Sequence, residues 1–350
     1  MGFKGLGLVY DPIYLEHDTG GHVEQPKRLT ETLAVLEAKG ITERLVKLSP
    51  RAAAAEEVAQ IHTRDYFKRL ASFCQAGGGH LDPDTVASPR SFEVALAAVG
   101  GLLNAVDAVQ EGTVARAFAL VRPPGHHALP HRAMGFCLFN NVAVAARYAR
   151  QKYGIDRILI VDWDYHHGNG TEAVFYAEPG VLYFSTHSAT GYPGTGRVER
   201  VGEGPGEGFN VNIPLPDLAG DEDFGFVFDE ILVPVAEEYS PGLVLVSAGQ
   251  DGYRMDPIAG MDLTPRGYGL MAAAVRRIAD RHAGGRLVGC LEGGYHLPGL
   301  GECVCAILEQ WAGKEGHSGD SRWQVKPEVE AAAAAVKRVH RSYWRCFAGG

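Results

Sequence analysis

The apolar positions of this chain gather into short continuous runs rather than alternating ones. Runs at residues 5–10, 44–48, 117–121, 158–163, 181–185, 243–247 and 287–291 read as strands. A strand buried on both faces is apolar at successive positions, which is the pattern of a parallel sheet with helices on each side. Between the runs, segments 64–75, 92–110, 141–153, 224–239 and 265–282 repeat apolar residues at three- and four-residue spacing and predict helices. Thr264 supplies a cap and Pro265 a first helical position for the last of these. Strand–helix–strand alternation predicts an open α/β sheet with right-handed crossovers. No internal repeat and no mid-chain linker divides the core. A polar stretch, GKEGHSGDSRWQVK, precedes a last Ala-rich helix at 328–341 that ends in basic residues. The expected layout is one domain over 1–312, a polar linker over 313–326, and a terminal helical piece over 327–350. That piece packs on its own domain or in an oligomer contact.

Composition narrows the class. At 350 residues, 46% hydrophobic and 21% charged, the chain can fill a large core, so disorder is excluded as its main state. Thirty-three Lys and Arg against 42 Asp and Glu leave a net charge of −9, which argues against a partner of nucleic acid or anionic membrane. Six cysteines form no CxxC pair and no regular framework, and the N-terminal apolar run is too short for a signal peptide or a span. The expectation is a soluble cytoplasmic protein with reduced thiols.

The chemistry lies just beyond the central strands. FALVRP leads into PGHH, ILIVDWD into YHHGNG, LVLVSAG into QD, and LVGCLE into GGY. Ligands of open α/β sheets sit at the carboxyl ends of the strands, so four strands bring histidine pairs, aspartates and a tyrosine to one edge. Spacing of two along an extended chain puts Asp162, Asp164 and His166 on one face. Asp164 and His166, joined by Asp251, make an oxygen–nitrogen–oxygen donor set with room for a fourth ligand, as in a catalytic zinc site; Fe(II) or Co(II) suits the same donors. The bland alternative is a buried Asp/His hydrogen-bond network without metal. His126 and His127 are candidates for proton transfer, partnered by Asp162 and Asn169. The Asn-paired histidine is expected to be the less basic, because its partner carries no charge. Tyr295, behind two glycines, can present a hydroxyl to a developing oxyanion. The glycine-rich runs at 77–79 and 202–208 match no phosphate-binding pattern, and no GxSxG elbow or activated cysteine is present.

These residues name a family. RPPGHHA, MGFCLFNNVAVAARYA, DWDYHHGNGT, YPGTG, SAGQD and EGGY, in this order, resemble the zinc-dependent histone deacetylases and their bacterial relatives, among them histone-deacetylase-like and acetylpolyamine amidohydrolases and acetoin-utilisation proteins. Asn169 in HHGNG resembles the class II branch. The resemblance runs from about Gly5 to Trp311. It implies one arginase-like α/β domain with a central eight-stranded, mostly parallel sheet flanked by helices. It implies a zinc-dependent amidohydrolase that removes an acyl group, acetyl first, from an amine such as N-acetyl-lysine by metal-activated water.

Carried over position by position, Asp164, His166 and Asp251 are the zinc ligands. His126 and His127 are the tandem histidines, paired with Asp162 and Asn169, and Tyr295 is the catalytic tyrosine. Gly135, Phe136 and Tyr192 line the tunnel for the acyl-bearing chain. Asp162, Asp164 and His166, with Ser185 and Thr186, resemble a structural potassium site. Gln250 stands where many relatives have Phe or Ala. Ile258 falls near the rim, where polyamine-selective relatives place a Glu, which weakens an acetylpolyamine reading. The HDTGGH run at 17–22, with Glu24, Pro26 and Arg28, resembles a loop that lines the rim or an oligomer contact. Rivals are an acetylpolyamine or other small N-acyl amine deacetylase, a binuclear manganese ureohydrolase, and a non-catalytic acyl-ligand-binding regulator. Expected partners are an acylated small molecule or protein and further copies of the chain, as a homodimer or homotetramer.

Overall fold

The structure, a computed structural model, describes residues 5–313 and 323–348. Ten strands are present among them: β1 (Leu6–Val9), β2 (Val46–Leu48), β3 (Gly79–His80), β4 (Val86–Ala87), β5 (Arg116–Ala119), β6 (Ile158–Asp162), β7 (Val181–Ser188), β8 (Asn210–Leu215), β9 (Leu243–Ala248) and β10 (Leu287–Leu291). Eight form one sheet in the order β2-β1-β5-β10-β9-β6-β7-β8, while β3 and β4 make a small antiparallel ribbon. Every ladder of the large sheet is parallel, a stricter arrangement than the mostly parallel one expected.

Its central strands are buried along their whole length, which is why they read as unbroken apolar runs. The helices are α1 (Lys27–Ala38), α2 (Ala55–Val58), α3 (Arg64–Gln75), α4 (Ser91–Gln110), α5 (Asn141–Tyr153), α6 (Asn169–Phe175), α7 (Asp221–Val227), α8 (Val233–Tyr239), α9 (Pro265–His282), α10 (Leu297–Trp311) and α11 (Pro327–His340). A π turn at Phe228–Leu232 joins α7 to α8, so the helix expected over 224–239 is one rod starting at Asp221. Helix α4 is long and apolar enough to cross a membrane by length and composition, but most of it is buried against the sheet and α5.

Local signals fix the helix ends. Asn140 Oδ1 accepts the Ala143 N–H at 3.0 Å to open α5, and Gly154 in the left-handed region closes it. Thr264 Oγ1 accepts from Arg266 N at 3.2 Å with Pro265 at the first turn of α9. Most of the expected linker, residues 314–322, lies outside the described residues. Beyond it, Trp323 Nε1 donates to Asp229 at 3.2 Å and Lys326 N to Asp223 at 2.9 Å. Helix α11 then lies on β8 and the α7 rod, burying Val329, Ala333, Val336 and His340. Strands β5, β10, β9 and β6 are consecutive neighbours, so their carboxyl ends open onto one crevice.

Candidate active site

The crevice gathers the residues expected there. Strand β6 ends at Asp162, one residue earlier than the pattern indicated, and the chain then turns. Asp162, Asp164 and His166 are therefore not placed by strand alternation, as their spacing suggested. Successive turns bonded through carboxylates aim them instead: Asp164 N donates to Asp162 Oδ1 at 3.2 Å and His166 N to Asp164 Oδ1 at 2.8 Å. Asp162 thereby faces the tandem histidines, while Asp164 faces Asp251 from the end of β9.

The donor atoms of Asp164, His166 and Asp251 all lie within 4.8 Å of one another. His166 Nδ1 stands 3.1 Å from Asp164 Oδ1 and 2.9 Å from Asp251 Oδ2, aimed between the carboxylates. Gly293 N donates to the far oxygen of Asp164 at 2.8 Å, and Tyr165 N to that of Asp251 at 2.9 Å, so second-layer amides orient both groups. Two carboxylates this close and this buried need a cation between them. Without one, burial and the Asp164 charge push Asp251 above its usual range. Against the pull of burial, Asp164 and Asp251 hold His166 far above its own. The donor set fits a dication that prefers nitrogen and oxygen ligands with no thiolate.

The tandem histidines are differentiated as expected. His126 Nδ1 lies 3.1 Å from Asp162 Oδ2, and His127 Nδ1 lies 2.8 Å from Asn169 Oδ1. Burial alone would pull His126 down, but the Asp164 and Asp162 carboxylates outweigh it and lift it to about 10. His127 is driven well below its usual range by burial and by the positive charge of His126 and His166. A dication beside Asp164 opposes the charge of that carboxylate and lowers His126 from this value.

Tyr295, Phe136, Gly135, Tyr192 and Ile258 line one cavity of about 260 Å³ with His126, His127, Asp164 and His166. Phe136 stands edge-on to Tyr295 at 5.8 Å and Tyr192 edge-on to His127 at 5.1 Å. Gly135 has φ +57°, and a Cβ there would overlap the His127 ring, so the narrow wall beside the histidines depends on a missing side chain. Gln250 does not line this cavity. It is buried, and both ends of its carboxamide are without a hydrogen-bond partner among the described residues.

Several functional neighbours have roles that the motifs do not announce. Tyr183 Oη donates to Asp162 Oδ2 at 2.9 Å. Glu292 Oε2 accepts from Gly125 N at 2.6 Å and His126 N at 3.1 Å, and Ser247 Oγ donates to its other oxygen at 3.1 Å, so this carboxylate moors the histidine loop to β9 and β10. Burial raises Glu292 to about 7. His126, Cys137 and Glu292 form a second compact group of potential metal donors. Each is already committed: His126 to Asp162, Glu292 to backbone amides, and Cys137 Sγ to Gly135 O at 3.2 Å.

The N-terminal run is divided, with the His22 ring 4.5 Å from Phe136 of the cavity wall. Asp18, Gly20 and Gly21 are exposed, but His17, Glu24 and Arg28 are buried beneath the site rather than at a rim. Arg28 Nε donates to Gly294 O at 2.7 Å, and its guanidinium lies 4.8 Å from the Tyr295 ring centre, bracing the EGGY turn from below. Burial pushes the Glu24 carboxyl up, but Arg122 and Arg28 outweigh it and hold it well below the usual range. At the mouth, Asp84, which no motif singled out, lines the cavity and is raised by burial and by Asp82. Ser185 pairs in register with Asp162, and Thr186 is fully buried with its hydroxyl unpartnered among the described residues.

An α/β sheet whose strand ends hold an Asp–His–Asp cation cradle, paired histidines and a facing tyrosine defines a metal-dependent hydrolase architecture. The histone deacetylase domain model matches residues 22–311, and the chain belongs to that family. It is 41% identical to a protein of Archaeoglobus fulgidus named probable deacetylase, over 97% of this chain and 99% of that one. It is 40% identical to the human polyamine deacetylase HDAC10, over 83% of this chain and 45% of that one. Among solved structures, the HDA15 HD domain superposes with a TM-score of 0.90 at 33% identity, covering 98% of this chain and 97% of that one.

Proposed function

We propose that this chain is a deacylase that hydrolyses N-acyl amides, with N-acetyl-lysine as the leading substrate class. The observation that supports it is the convergence, on one cavity of about 260 Å³, of Asp164 and His166, both tandem histidines and Tyr295, with Asp251 completing the cradle behind them. A divalent ion, zinc first, held by Asp164, His166 and Asp251 supplies Lewis acidity toward water and the amide carbonyl.

The remaining chemistry belongs to side chains. His127 takes the water proton: Asn169 fixes its ring, and its low basicity keeps it neutral at physiological pH. The Tyr295 hydroxyl donates to the oxygen that gains charge; burial holds its pKa far above 10, so it keeps that proton. His126 is oriented by Asp162, and a histidine of the pair returns a proton to the leaving amine. Gly135, Phe136, Tyr192 and Ile258 confine the acyl-bearing chain.

A binuclear ureohydrolase finds no support in the geometry. His167, where a bridging carboxylate would be needed, turns away to Thr195 Oγ1 at 2.7 Å. A non-catalytic regulator needs a broken constellation, and every expected position is filled. The second substrate reading, an acetylated polyamine, is favoured by the name of the human relative and opposed by the apolar Ile258 at the mouth.

We extend the proposal to a potassium ion held by Asp162, Asp164 and His166 with Ser185 and Thr186, to a homodimer or homotetramer, and to a cytoplasmic setting in keeping with six free cysteines. The test is turnover of a fluorogenic acetyl-lysine amide. Zinc-loaded protein is expected to deacetylate it, with chelation abolishing activity and one equivalent of zinc per chain restoring it. A flat trace with stoichiometric zinc bound sinks the enzyme reading; a need for two metals per chain revives the ureohydrolase.

A further inference from the structure

Beyond the acyl cavity the same face carries a second hollow, about 530 Å³, and Tyr192 lines both. Tyr66, Leu70 and Phe73 from α3, with Leu81 and Met134, give this groove an apolar body. Its polar groups are mainly cationic. Arg69 is exposed, lies 6.0 Å from the Tyr66 ring centre, and donates one bond to His131 O at 2.9 Å. Arg132 is exposed, and its guanidinium makes no hydrogen bond or ion pair among the described residues. The one carboxylate on the wall, Asp82, spends Oδ1 on its own turn, accepting from Asp84 N at 3.1 Å and Thr85 N at 2.6 Å.

Elsewhere at the mouth, Ile258 exposes apolar surface. Asp256 is buried, accepting from Tyr295 N at 2.6 Å and Ile258 N at 3.1 Å. A polycation emerging from the acyl cavity would meet two guanidinium groups on the groove side and hydrocarbon at Ile258. Against these stand two carboxylates, Asp84 at the mouth and Asp82 on the groove wall. An extended peptide finds apolar floor for a side chain and forked donors suited to a carboxylate.

We propose that this groove receives the polypeptide flanking an acyl-lysine and selects an acidic side chain, set against Arg132 and Arg69. Tyr192 lines both hollows, so the acid belongs on the peptide close to the modified lysine, and the test places it two residues away. The inference rests on the deacylase reading and narrows its substrate to acid-flanked acyl-lysine peptides rather than acylated polyamines.

Two matched acetyl-lysine peptides, with Glu or with Lys two residues from the acetylated position, test it. Their kcat/KM values and their binding, read by anisotropy of labelled copies, are compared for the parent, R132E and the R69E/R132E pair; thermal unfolding verifies that these exposed substitutions leave the fold intact. Each exposed charge pair contributes a factor of a few, so the parent is expected to favour the Glu peptide about three- to tenfold, less at high salt. The double variant is expected to lose or reverse that ratio. Equal handling of both peptides by the parent, a preference that survives both substitutions, or acetylputrescine outrunning both peptides overturns the groove assignment while leaving deacylation intact. A chain inert toward every substrate that still binds the Glu peptide more tightly, with reversal in the double variant, upholds the groove and removes the deacylase reading.

Discussion

Asn169 sets how His127 behaves, because it fixes the ring through Nδ1 without adding charge. Asn169→Asp places a carboxylate at the same 2.8 Å separation and favours the protonated imidazole. A base must be neutral to act, so the acid limb of the kcat/KM profile should move to higher pH, with activity lost first on the acid side. An unmoved limb would remove His127 from the role of base. Tyr295→Phe keeps the ring that packs against Phe136 and Arg28 but deletes the donor. Its kcat should fall on the order of 10²–10³ with zinc stoichiometry unchanged, since one oxyanion donor is lost. At this scale the sequence is legible wherever function needs residues close together in the chain. Asp162, Asp164, His166 and Asn169 lie within one turn-rich segment, and GHH within another. The hidden partners arrive from a distance: Arg28 reaches Gly294 across 266 positions, and Glu292 grips the amides of Gly125 and His126 with no chemistry of its own to announce it.

Elements are legible where burial pattern and period agree. Helices α3, α5 and α9 and strand β10 appear with the limits their apolar spacing sets. Strand β8 escapes the apolar pattern, because Asn210 and Asn212 occupy buried positions that normally carry hydrocarbon. Both asparagines are spent on Glu172, donating from Nδ2 at 3.0 and 2.7 Å, so the strand buries a polar network that periodicity cannot register. Helix α10 is apolar nearly all round and carries Gly299 and Gly301, so no stripe marks it out. Helix α1 escapes too, although Leu29, Leu33 and Leu36 keep helical spacing; its polar surroundings dilute the signal. The terminal piece adds an aromatic anchor to the packing of α11: Trp344 packs on Phe209 and Tyr239 at 5.6 and 6.3 Å and donates from Nε1 to Gly208 O at 2.9 Å. Trp344→Ala should destabilise the fold by about 3–5 kcal/mol, the usual cost of emptying a buried aromatic site. Denaturant unfolding measures it, and a change within about 1 kcal/mol would mean that this segment is not part of the cooperative unit.

The whole molecule holds several histidines neutral by burying them, and that sets its response to acid. His62 uses both ring nitrogens, facing Leu129 O at 3.1 Å through Nδ1 and accepting Asn140 N at 2.9 Å through Nε2, a pattern that only the neutral ring satisfies. His340, in α11, is buried with neither nitrogen partnered among the described residues, its ring 6.1 Å from that of Tyr343. Burial lowers His17, His62 and His340 to about 4 and His187 to about 3. The sign comes from proton counts. Between pH 6.5 and 4 the unfolded chain takes up protons at these positions and the folded chain does not. The contribution of these four histidines is therefore full above about pH 6.5 and falls as pH drops toward 4. The Glu24 carboxyl, held low by Arg122 and Arg28, withdraws its contribution only under still stronger acid. Each such histidine adds up to about 1.4 kcal/mol per pH unit to the slope. His340→Leu deletes one of them at a site with no hydrogen bond to lose. Urea unfolding at pH 7.5 and pH 5 should show the variant at least as stable as the parent at the higher pH and clearly more stable at the lower. An identical pH slope in the two proteins would mean that the His340 ring gains its proton without unfolding.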